Sequence, residues 1–396
     1  MNHTAARTGG FTLIELVVVM GILTGFLMML TQLVGSGMTL FTSGEISQSL
    51  ADRTNQARRV ITTELSALRG DAAGRDRTVA EDRLLVQELP IGLPARPEPR
   101  ATRVQVVRAA VHLSPEREEQ LVEAMLVARL AADQPDLSPV DLQARLTELR
   151  AREPMRGIGN LLMLPWRQEG KDDALLELRA GWFLPGQQVP SGRDELVDPF
   201  EVFVPGGSEL PALVVHSITT PILRDLLHVE FRFWSQTTTT WRESASGGAL
   251  SVWDSTRGGW LVDAAAGGVF AFDRGPQSFR DPADDIHPHA ILVRCVVAQP
   301  AEYAPEGLLD APIGPDEERL ELVDGSQFPG SETGGWIKVD GEWMRYDRLS
   351  GNVLYGLTRG QRNTKAIEHG AGVRVHVGRE IEFVVPVAHA KDDWNG

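Results

Sequence analysis

Residues 10–16 read Gly-Phe-Thr-Leu-Ile-Glu-Leu, and this stretch decides how the rest of the chain is interpreted. Residues 16–44 carry no charged side chain, so Glu15 is the one charge at the start of a long apolar run. A run of 18 or more apolar residues is long enough to span a bilayer. A carboxylate inside such a run is costly and marks a function, with a partner that offsets its charge. The sequence therefore predicts a membrane helix with a functional acid at its beginning.

The segment before the apolar run contains Arg7 and no acidic residue. Positive charge ahead of an apolar helix keeps that end in the cytoplasm, so we expect the rest of the chain on the far side of the membrane. An ordinary secretory signal has an apolar region of 7–15 residues followed by small residues at a cleavage site. Here the apolar region is about twice that long, and the small residues Gly9 and Gly10 come before it. An ordinary signal and a plain membrane anchor stay open as less favoured alternatives.

The motif at residues 10–15 resembles the processing site of type IV prepilins and type II secretion pseudopilins. The resemblance implies that a prepilin peptidase cleaves after Gly10, that residues 1–10 are a leader peptide, and that the new terminus at Phe11 is N-methylated. It also implies that Glu15 neutralises the terminal amine of a neighbouring subunit during assembly. Apart from the family, residues 11 and 15 are one helical turn apart, and opposite charges in lipid strongly favour pairing.

From residue 45 onward the apolar run gives way to an amphipathic pattern. Apolar residues recur at three- and four-residue steps, while charged residues that include Glu64 take the other face. The apolar positions are Ile46, Leu50, Ala57, Ile61, Leu65 and Leu68. No proline interrupts residues 11–70, so we predict one helix over 11–70, with a transmembrane part at about 11–34. The alternative is two helices joined by a hinge near Gly35 and Gly37.

Residues 71–316 are predicted to form a β-rich body with a helical insert at 114–153. Ser114-Pro115 and Ser138-Pro139 are helix starts and predict a helical hairpin. Apolar runs separated by turn-forming residues predict strands at 84–86, 104–107, 175–178, 202–204, 213–215, 229–234 and 291–293. The alternation in 229–233 is typical of an antiparallel sheet with one solvated face. The expected fold class is therefore α+β.

Three segments follow in one order: Phe231 to Trp234, Trp253-Asp254, and the strand led by Pro288. This order resembles the body of the large minor pseudopilins of the J type and of PilW-like minor pilins. The resemblance implies a pilin-like fold, in which a long N-terminal helix packs on an antiparallel β-sheet.

Residues 317–378 are predicted to form a small β module, followed by a last strand and tail at 379–396. Asp340-Gly341 lies between alternating apolar and polar residues and is a strong hairpin signal. The order Asp340-Gly341-Glu342, Tyr346, Thr358-Arg359-Gly360 and His369 resembles a small β module of phage tail and other surface proteins. One interpretation is a binding or assembly module. The interpretation that we favour is a β extension whose Gly, Arg and His residues stabilise turns. In that case His369 is a turn residue rather than a base.

The sequence has no phosphate-binding glycine loop with a lysine, no zinc-protease motif and no nucleophile elbow, so no enzyme is predicted. Asp281, Asp284 and Asp285, with His287 and His289, form the only dense acidic and histidine cluster. They are weak candidates for Ca²⁺, but their spacing matches no defined loop, and a solvated turn is favoured. No cofactor is expected.

Composition limits the remaining classes of function. The chain has 396 residues, of which 42% are apolar and 23% charged, as in a globular body plus one membrane segment. Its formal charge of −15 argues against a nucleic-acid binder, which carries a basic face. Cys295 is the only cysteine, so an internal disulfide is excluded, and its apolar run predicts a buried strand residue.

The sequence as a whole predicts a minor pilin or pseudopilin of a type II secretion pseudopilus or a type IV pilus. We expect it to be inserted once in the inner membrane, with its body in the periplasm, and assembled near the fibre tip. The expected partners are other pilin or pseudopilin subunits, the prepilin peptidase, the inner-membrane assembly platform and membrane lipid, and no nucleic acid. The alternative is a single-pass, membrane-tethered periplasmic binding or adhesion protein.

Overall fold

The structure is a computed structural model. It describes residues 13–68, 84–91, 102–134, 138–153, 157–168, 174–187, 189–190, 196–197, 212–234, 253–255, 259–262, 268–271, 287–288, 290–299, 307–325, 328, 334–362 and 364–387. The chain divides into two compact units, Met1–Asp52 and Arg53–Gly396, and each is described by itself. The predicted strand at 202–204 lies outside the described residues, as do Gly10, Phe11, Asp281, Asp284, Asp285 and His289.

The described elements follow one another along the chain in this order: α1 (Leu13–Ser66), β1 (Leu85–Ile91), β2 (Thr102–His112), α2 (Pro115–Asp133), α3 (Pro139–Arg150), β3 (Ile158–Arg167), β4 (Leu176–Phe183), β5 (Val189–Pro190), β6 (Leu196–Val197), α4 (Ala212–Ile218), β7 (Thr220–Trp234), β8 (Trp253–Asp254), β9 (Gly259–Val262), β10 (Gly268–Ala271), β11 (Ala290–Ala298), β12 (Arg319–Glu321), β13 (Gly335–Val339), β14 (Glu342–Tyr346), β15 (Arg348–Ser350), β16 (Val353–Tyr355), β17 (Thr358–Gln361), β18 (Val375–His376) and β19 (Gly378–Pro386). An apolar N-terminal helix and a large antiparallel β-sheet body together make an α+β architecture.

Helix α1 is continuous over 54 residues and runs through Gly35 and Gly37, so there is one helix rather than two joined by a hinge. Its segment Leu16–Met38 is long and apolar enough to cross a membrane, with a mean hydropathy of 2.2. The helix ends at Ser66, before the predicted residue 70. The chain leaves the helix there because Leu68 forms a β-bridge with Val111, and the N–H of His112 donates to the Ala67 carbonyl oxygen at 2.8 Å.

The body of the second unit is an eight-stranded sheet in the order β19-β11-β7-β4-β3-β2-β1-β8, and every neighbouring pair is antiparallel. Register aligns apolar residues of neighbouring strands on a shared face: Val293 in β11 lies opposite Phe231 in β7 and Phe383 in β19. These three residues belong to the main hydrophobic core, together with Cys295, which is fully buried as predicted. Hydrophobic burial on that face is what holds the sheet to a covering layer.

The part of α1 within the second unit supplies that covering layer. Ala57, Ile61, Leu65 and Leu68, four of the six predicted stripe positions, are at most 2% exposed and belong to the same core as the sheet. The four-residue spacing of Ala57, Ile61 and Leu65 places these three on one helix face, and Leu68 joins the same core just after the helix ends.

Residues 213–215, predicted as a strand, belong instead to the helix α4. The reason is tertiary. Arg179 of β4 donates to the Thr219 hydroxyl and carbonyl oxygens at 2.9 and 2.6 Å, which anchors the end of α4 over the sheet. Gly181 permits this approach, since a Cβ there would lie 2.3 Å from the Ile218 carbonyl oxygen. The periodicity of only three apolar residues does not distinguish a short strand from a buried helix.

Helices α2 and α3 both begin at a proline that follows a capping serine. The side chains of Ser114 and Ser138 accept hydrogen bonds from the backbone N–H groups of Arg117 and Asp141, the usual geometry of an N-cap. The two helices pack on each other through a small core of Val122, Leu126, Leu130 and Leu146.

The segment between β11 and β19 forms a separate part of the second unit, which we call the C-terminal module (residues 307–377). It holds a three-stranded sheet, β12-β16-β15, and a four-stranded sheet, β17-β14-β13-β18. Its core is distinct from that of the main sheet and includes Ile337, Met344, Tyr346 and Leu354. Because Ala298 and Gly378 pair directly, the module lies inside what would otherwise be a β-hairpin. The predicted Asp340-Gly341 hairpin is confirmed, with Val339 opposite Glu342.

Candidate functional site

The first candidate site is the start of α1. Glu15 lies in α1, directly before the apolar segment Leu16–Met38. None of the residues in the most apolar stretch of that segment is buried. Two of its hydroxyls are satisfied within the helix, because Thr24 and Thr31 donate to the carbonyl oxygens of Met20 and Met28, each at 2.8 Å. Polar groups satisfied within the helix are what a lipid environment requires.

The second candidate site is a buried polar cluster in the C-terminal module, formed by Asp340, Glu342, Arg359 and His369. The β13–β14 hairpin contributes Asp340 in its turn and Glu342 at the start of β14, and β17 contributes Arg359. His369 comes from the segment after β17, where it forms a β-bridge with Ile313. The side chains of Glu342 and His369 are 0% exposed. Sequence order alone places these residues on three separate segments, which the fold brings together.

The Glu342 carboxylate lies at the centre of this cluster. One oxygen accepts from Arg359 Nε at 2.8 Å and from the Gly360 N–H at 3.0 Å. The other accepts from Arg359 Nη2 at 2.8 Å, from the Ile367 N–H at 3.1 Å and from His369 Nε2 at 2.9 Å. The two-pronged contact with the guanidinium is the strong, oriented type of ion pair. Burial by itself raises the pKa of Glu342, but the bonds from Arg359, His369 and the two backbone groups outweigh it and lower the pKa to about 2.

His369 is held between two carboxylates. Its Nδ1 lies 2.8 Å from an Asp340 oxygen and its Nε2 lies 2.9 Å from a Glu342 oxygen. Burial by itself lowers the pKa of His369, but the hydrogen bonds to both carboxylates and their negative charge outweigh it, so the pKa is raised above 6.5. Both ring nitrogens are occupied, so His369 has no free nitrogen with which to abstract a proton. The cluster therefore ties segments together, and His369 is a buried ion-pair partner rather than a simple turn residue.

A buried lysine attaches the C-terminal module to the main sheet. Lys338 of β13 is 2% exposed, and its Nζ donates to the carbonyl oxygens of Ala174 and Leu227 at 2.8 Å each. Beside it, Trp343 packs in one small core with Leu227 and Val296 of the sheet. A buried ammonium is costly unless it is bonded, so these carbonyl contacts orient the module as well as attach it. The alternation of β13 gave no sign that Lys338 would be buried.

Glu64 corrects the predicted polar face of α1. The pattern predicts Glu64 on the charged face, opposite the apolar stripe, but it is 5% exposed and accepts two hydrogen bonds of 3.2 Å from Arg117 of α2. It also accepts one of 3.1 Å from Trp182 Nε1 of β4, and the Arg117 guanidinium lies 4.0 Å from the Trp182 ring centroid. The spacing could have indicated this burial, because Glu64 is three residues after Ile61 and lies on the same helix face.

The weak calcium candidates Asp281, Asp284 and Asp285 lie outside the described residues. Their neighbour His287 is 4% exposed. Within the part of the chain that the structure describes, no three His, Cys, Asp or Glu side chains converge as a metal site.

The fold thus brings together Asp340, Glu342, Arg359 and His369 of the module, while Glu15 belongs to the other unit. No family model, curated protein or solved structure matches this chain. Its function is therefore inferred from its own residues.

Proposed function

We propose that this chain is a minor pilin or pseudopilin, a structural subunit processed after Gly10 and assembled through α1 into a type II secretion pseudopilus or a type IV pilus. One observation carries the proposal. Glu15 stands at the start of a helix in which residues 16–44 have no other charge, and that helix continues to Ser66, where its last turns belong to the core of a β-rich body. Membrane anchoring alone does not require a carboxylate at that position.

The role of Glu15 follows from charge balance. Cleavage after Gly10 creates an ammonium at Phe11, one helical turn before Glu15. In hydrocarbon both charges are costly unless they are paired. When the amine of an incoming subunit meets Glu15 of its neighbour, both costs fall and the axial register of the two helices is set. The exposed segment Leu16–Met38 is covered by lipid before assembly and by neighbouring helices afterwards.

The position in the fibre follows from the size of the body. The second unit, Arg53–Gly396, carries an eight-stranded sheet, two packed helices and the C-terminal module. Many copies of such a body would crowd a helical shaft, so we place the subunit at or near the tip, in few copies. The body lies in the periplasm and the chain is anchored once in the inner membrane until it is assembled.

The mature N-terminus tests the proposal directly. We expect the intact mass of the protein extracted from membranes to correspond to a chain that begins at N-methylated Phe11. A chain that begins at Met1, or one cut after residue 30, would contradict the proposal.

Replacement of Glu15 separates assembly from anchoring. Glu15→Ala should leave the protein in the membrane fraction and abolish its recovery in sheared or purified fibres. Glu45→Ala is the matched control, because Glu45 is the next acidic residue along α1 and should be dispensable. Normal recovery of Glu15→Ala in fibres would favour the alternative of a membrane-tethered periplasmic binding or adhesion protein.

A further inference from the structure

We propose that Asp340, Glu342, Arg359 and His369 form a proton-dependent latch, which holds two loops of the C-terminal module closed while His369 is protonated and releases them when it is not. The proposal concerns the second unit only, and it does not depend on how α1 is used.

Geometry alone assigns the protonation state. Both nitrogens of His369 lie within 2.9 Å of carboxylate oxygens, and an ionised carboxylate can only accept hydrogen bonds. A neutral imidazole has one nitrogen without a proton, and that lone pair would face a carboxylate oxygen. The arrangement is therefore that of an imidazolium that donates from both nitrogens.

Charge balance makes the proton essential. The groups that face one another are Asp340 from the hairpin turn, Glu342 from β14, Arg359 from β17 and His369 itself. The segment at Ile313 contributes backbone groups to His369. Two carboxylates, one guanidinium and one imidazolium sum to zero. Loss of the His369 proton leaves one uncompensated negative charge in a buried site, together with a broken hydrogen bond, and both effects are destabilising.

Two loops depend on these four side chains. In the first, residues 307–318, Ile313 exchanges both backbone hydrogen bonds with His369 at 2.9 and 3.0 Å, and Arg359 donates to the Gly314 carbonyl oxygen. In the second, residues 364–374, Ile367 donates to Glu342 and accepts from Arg359. When the cluster loses its charge balance, the contacts that tie both loops to β14 and β17 through these four side chains weaken together.

The direction of the pH dependence follows from the two pKa shifts. The pKa of His369 is raised, so its contribution to stability is complete below 6.5 and is lost as the pH rises through the raised value. The pKa of Glu342 is lowered to about 2, so its contribution is complete above 4.5 and is lost only as the pH falls through about 2. The latch is thus fully closed between pH 4.5 and 6.5 and opens on the alkaline side.

His228 provides an internal control. Its side chain is 19% exposed, and its burial, with the charges of Arg362 and Lys338, lowers its pKa below 6.5 against the opposing effect of Glu230. Its ring packs edge-on against Trp343 with the centroids 5.9 Å apart. His228 is therefore uncharged across the range in which His369 titrates.

The test uses the full-length chain in detergent, with isotope-labelled histidine. We expect the NMR signal of His369, assigned by its loss in His369→Gln, to titrate above pH 6.5. Over the same range, hydrogen exchange of residues 308–317 and 364–374, corrected for the intrinsic rate, should accelerate at least about tenfold, whereas β7 and β11 should not change. A His369 that titrates below pH 6.5, or loop protection that is independent of pH, would overturn the proposal.

If His369→Gln does not fold, a milder variant provides the test. Asp340 is 28% exposed at its side chain, and its φ of 49° is one that asparagine tolerates. Asp340→Asn should therefore fold, and it should move the midpoint of loop opening to lower pH by about one unit or more, since it removes one of the charges that raise the pKa. Asp347→Asn, an exposed neighbour in the same module, should not move it. An unchanged midpoint in Asp340→Asn would refute the latch.

Discussion

The two halves of α1 meet opposite surroundings within one unbroken helix. In the first half, large apolar side chains such as Leu23 and Met29 are 54% and 72% exposed. In the second, Ala57, Ile61 and Leu65 are at most 1% exposed. A helix that is apolar on one stripe can be covered by its own chain, whereas one that is apolar all round needs a surrounding medium. The second half is thus built for folding and the first for lipid or for other helices.

Two of the carboxylates of α1, Glu15 and Glu64, show the same contrast. Glu64 has its partners within this chain, the guanidinium of Arg117 and the indole N–H of Trp182. Under the proposed function, Glu15 finds its partner in the next subunit, and only after cleavage has created it. A buried acid that stabilises a fold and an acid that joins subunits differ in where the opposite charge comes from.

Removal of residues 1–44 is expected to have the largest effect. The truncated chain should lose membrane association completely. Its body should remain folded, with a free energy of unfolding within about 1 kcal/mol of the parent, because every buried residue in the described part of the chain lies at position 54 or later. Membrane flotation and urea unfolding measure the two effects. Collapse of the body would mean that the first half of α1 also supports the fold.

Truncation of the buried stripe is expected to come next. Ile61→Ala leaves a cavity in the main core and should lower the free energy of unfolding by about 2–5 kcal/mol. Leu23→Ala is the control in the other half and should change it by less than about 0.5 kcal/mol. Denaturant unfolding followed by tryptophan fluorescence gives both values. Equal losses would show that the two halves do not differ as described.

Loss of the Glu64 carboxylate is expected to have a smaller effect. Glu64→Ala leaves Arg117 and the Trp182 N–H without this acceptor, at a cost of about 1–3 kcal/mol, and should loosen α2 from α1. Glu45→Ala is the matched control and should have no measurable effect on unfolding. Hydrogen exchange in α2 would report the loosening. An unchanged exchange rate would show that the other contacts of α2 are sufficient to hold it in place.

The smallest effect is expected where α1 enters the second unit. Arg53 Nη1 lies 3.0 Å from an Asp225 oxygen, and both side chains are about one-third exposed. Arg53→Ala should therefore lower the free energy of unfolding by no more than about 1 kcal/mol. The loss should shrink in high salt, which screens exposed pairs. A larger loss that is independent of salt would indicate a packing role for the Arg53 stem.

Three residues other than glycine have a positive φ among those that the structure describes: Asp225 at 57°, Asp340 at 49° and Arg362 at 52°. Each carries an ion pair that joins separate segments: Asp225 to α1, Asp340 to His369 and Arg362 to Glu380 of β19. Such conformations cost about 1–3 kcal/mol and persist where the surroundings hold them. The strain therefore lies where the fold ties distant parts of the chain together.

Several features could be predicted because their causes are local. The apolar run, the stripe at Ala57 and Ile61, and the Asp340-Gly341 turn each depend on spacing or on backbone preference over a few residues. The errors share a different cause. Residues 213–215 became helical through Arg179 on another strand, and Glu64 was buried by partners from α2 and β4. Neither partner can be recognised from the neighbouring sequence.

By itself, the sequence determined that a long apolar stretch with one acid, Glu15, at its start forms a helix, that a β-rich body follows, and that a hairpin turns at Asp340. These features follow from periodicity, charge and turn chemistry, which act between near neighbours. Only the tertiary structure decided that Glu64 and Lys338 are buried, and that Asp340, Glu342, Arg359 and His369 form one neutral cluster. Buried charges are tolerated only beside their partners, and which partners meet is set by the packing of distant segments.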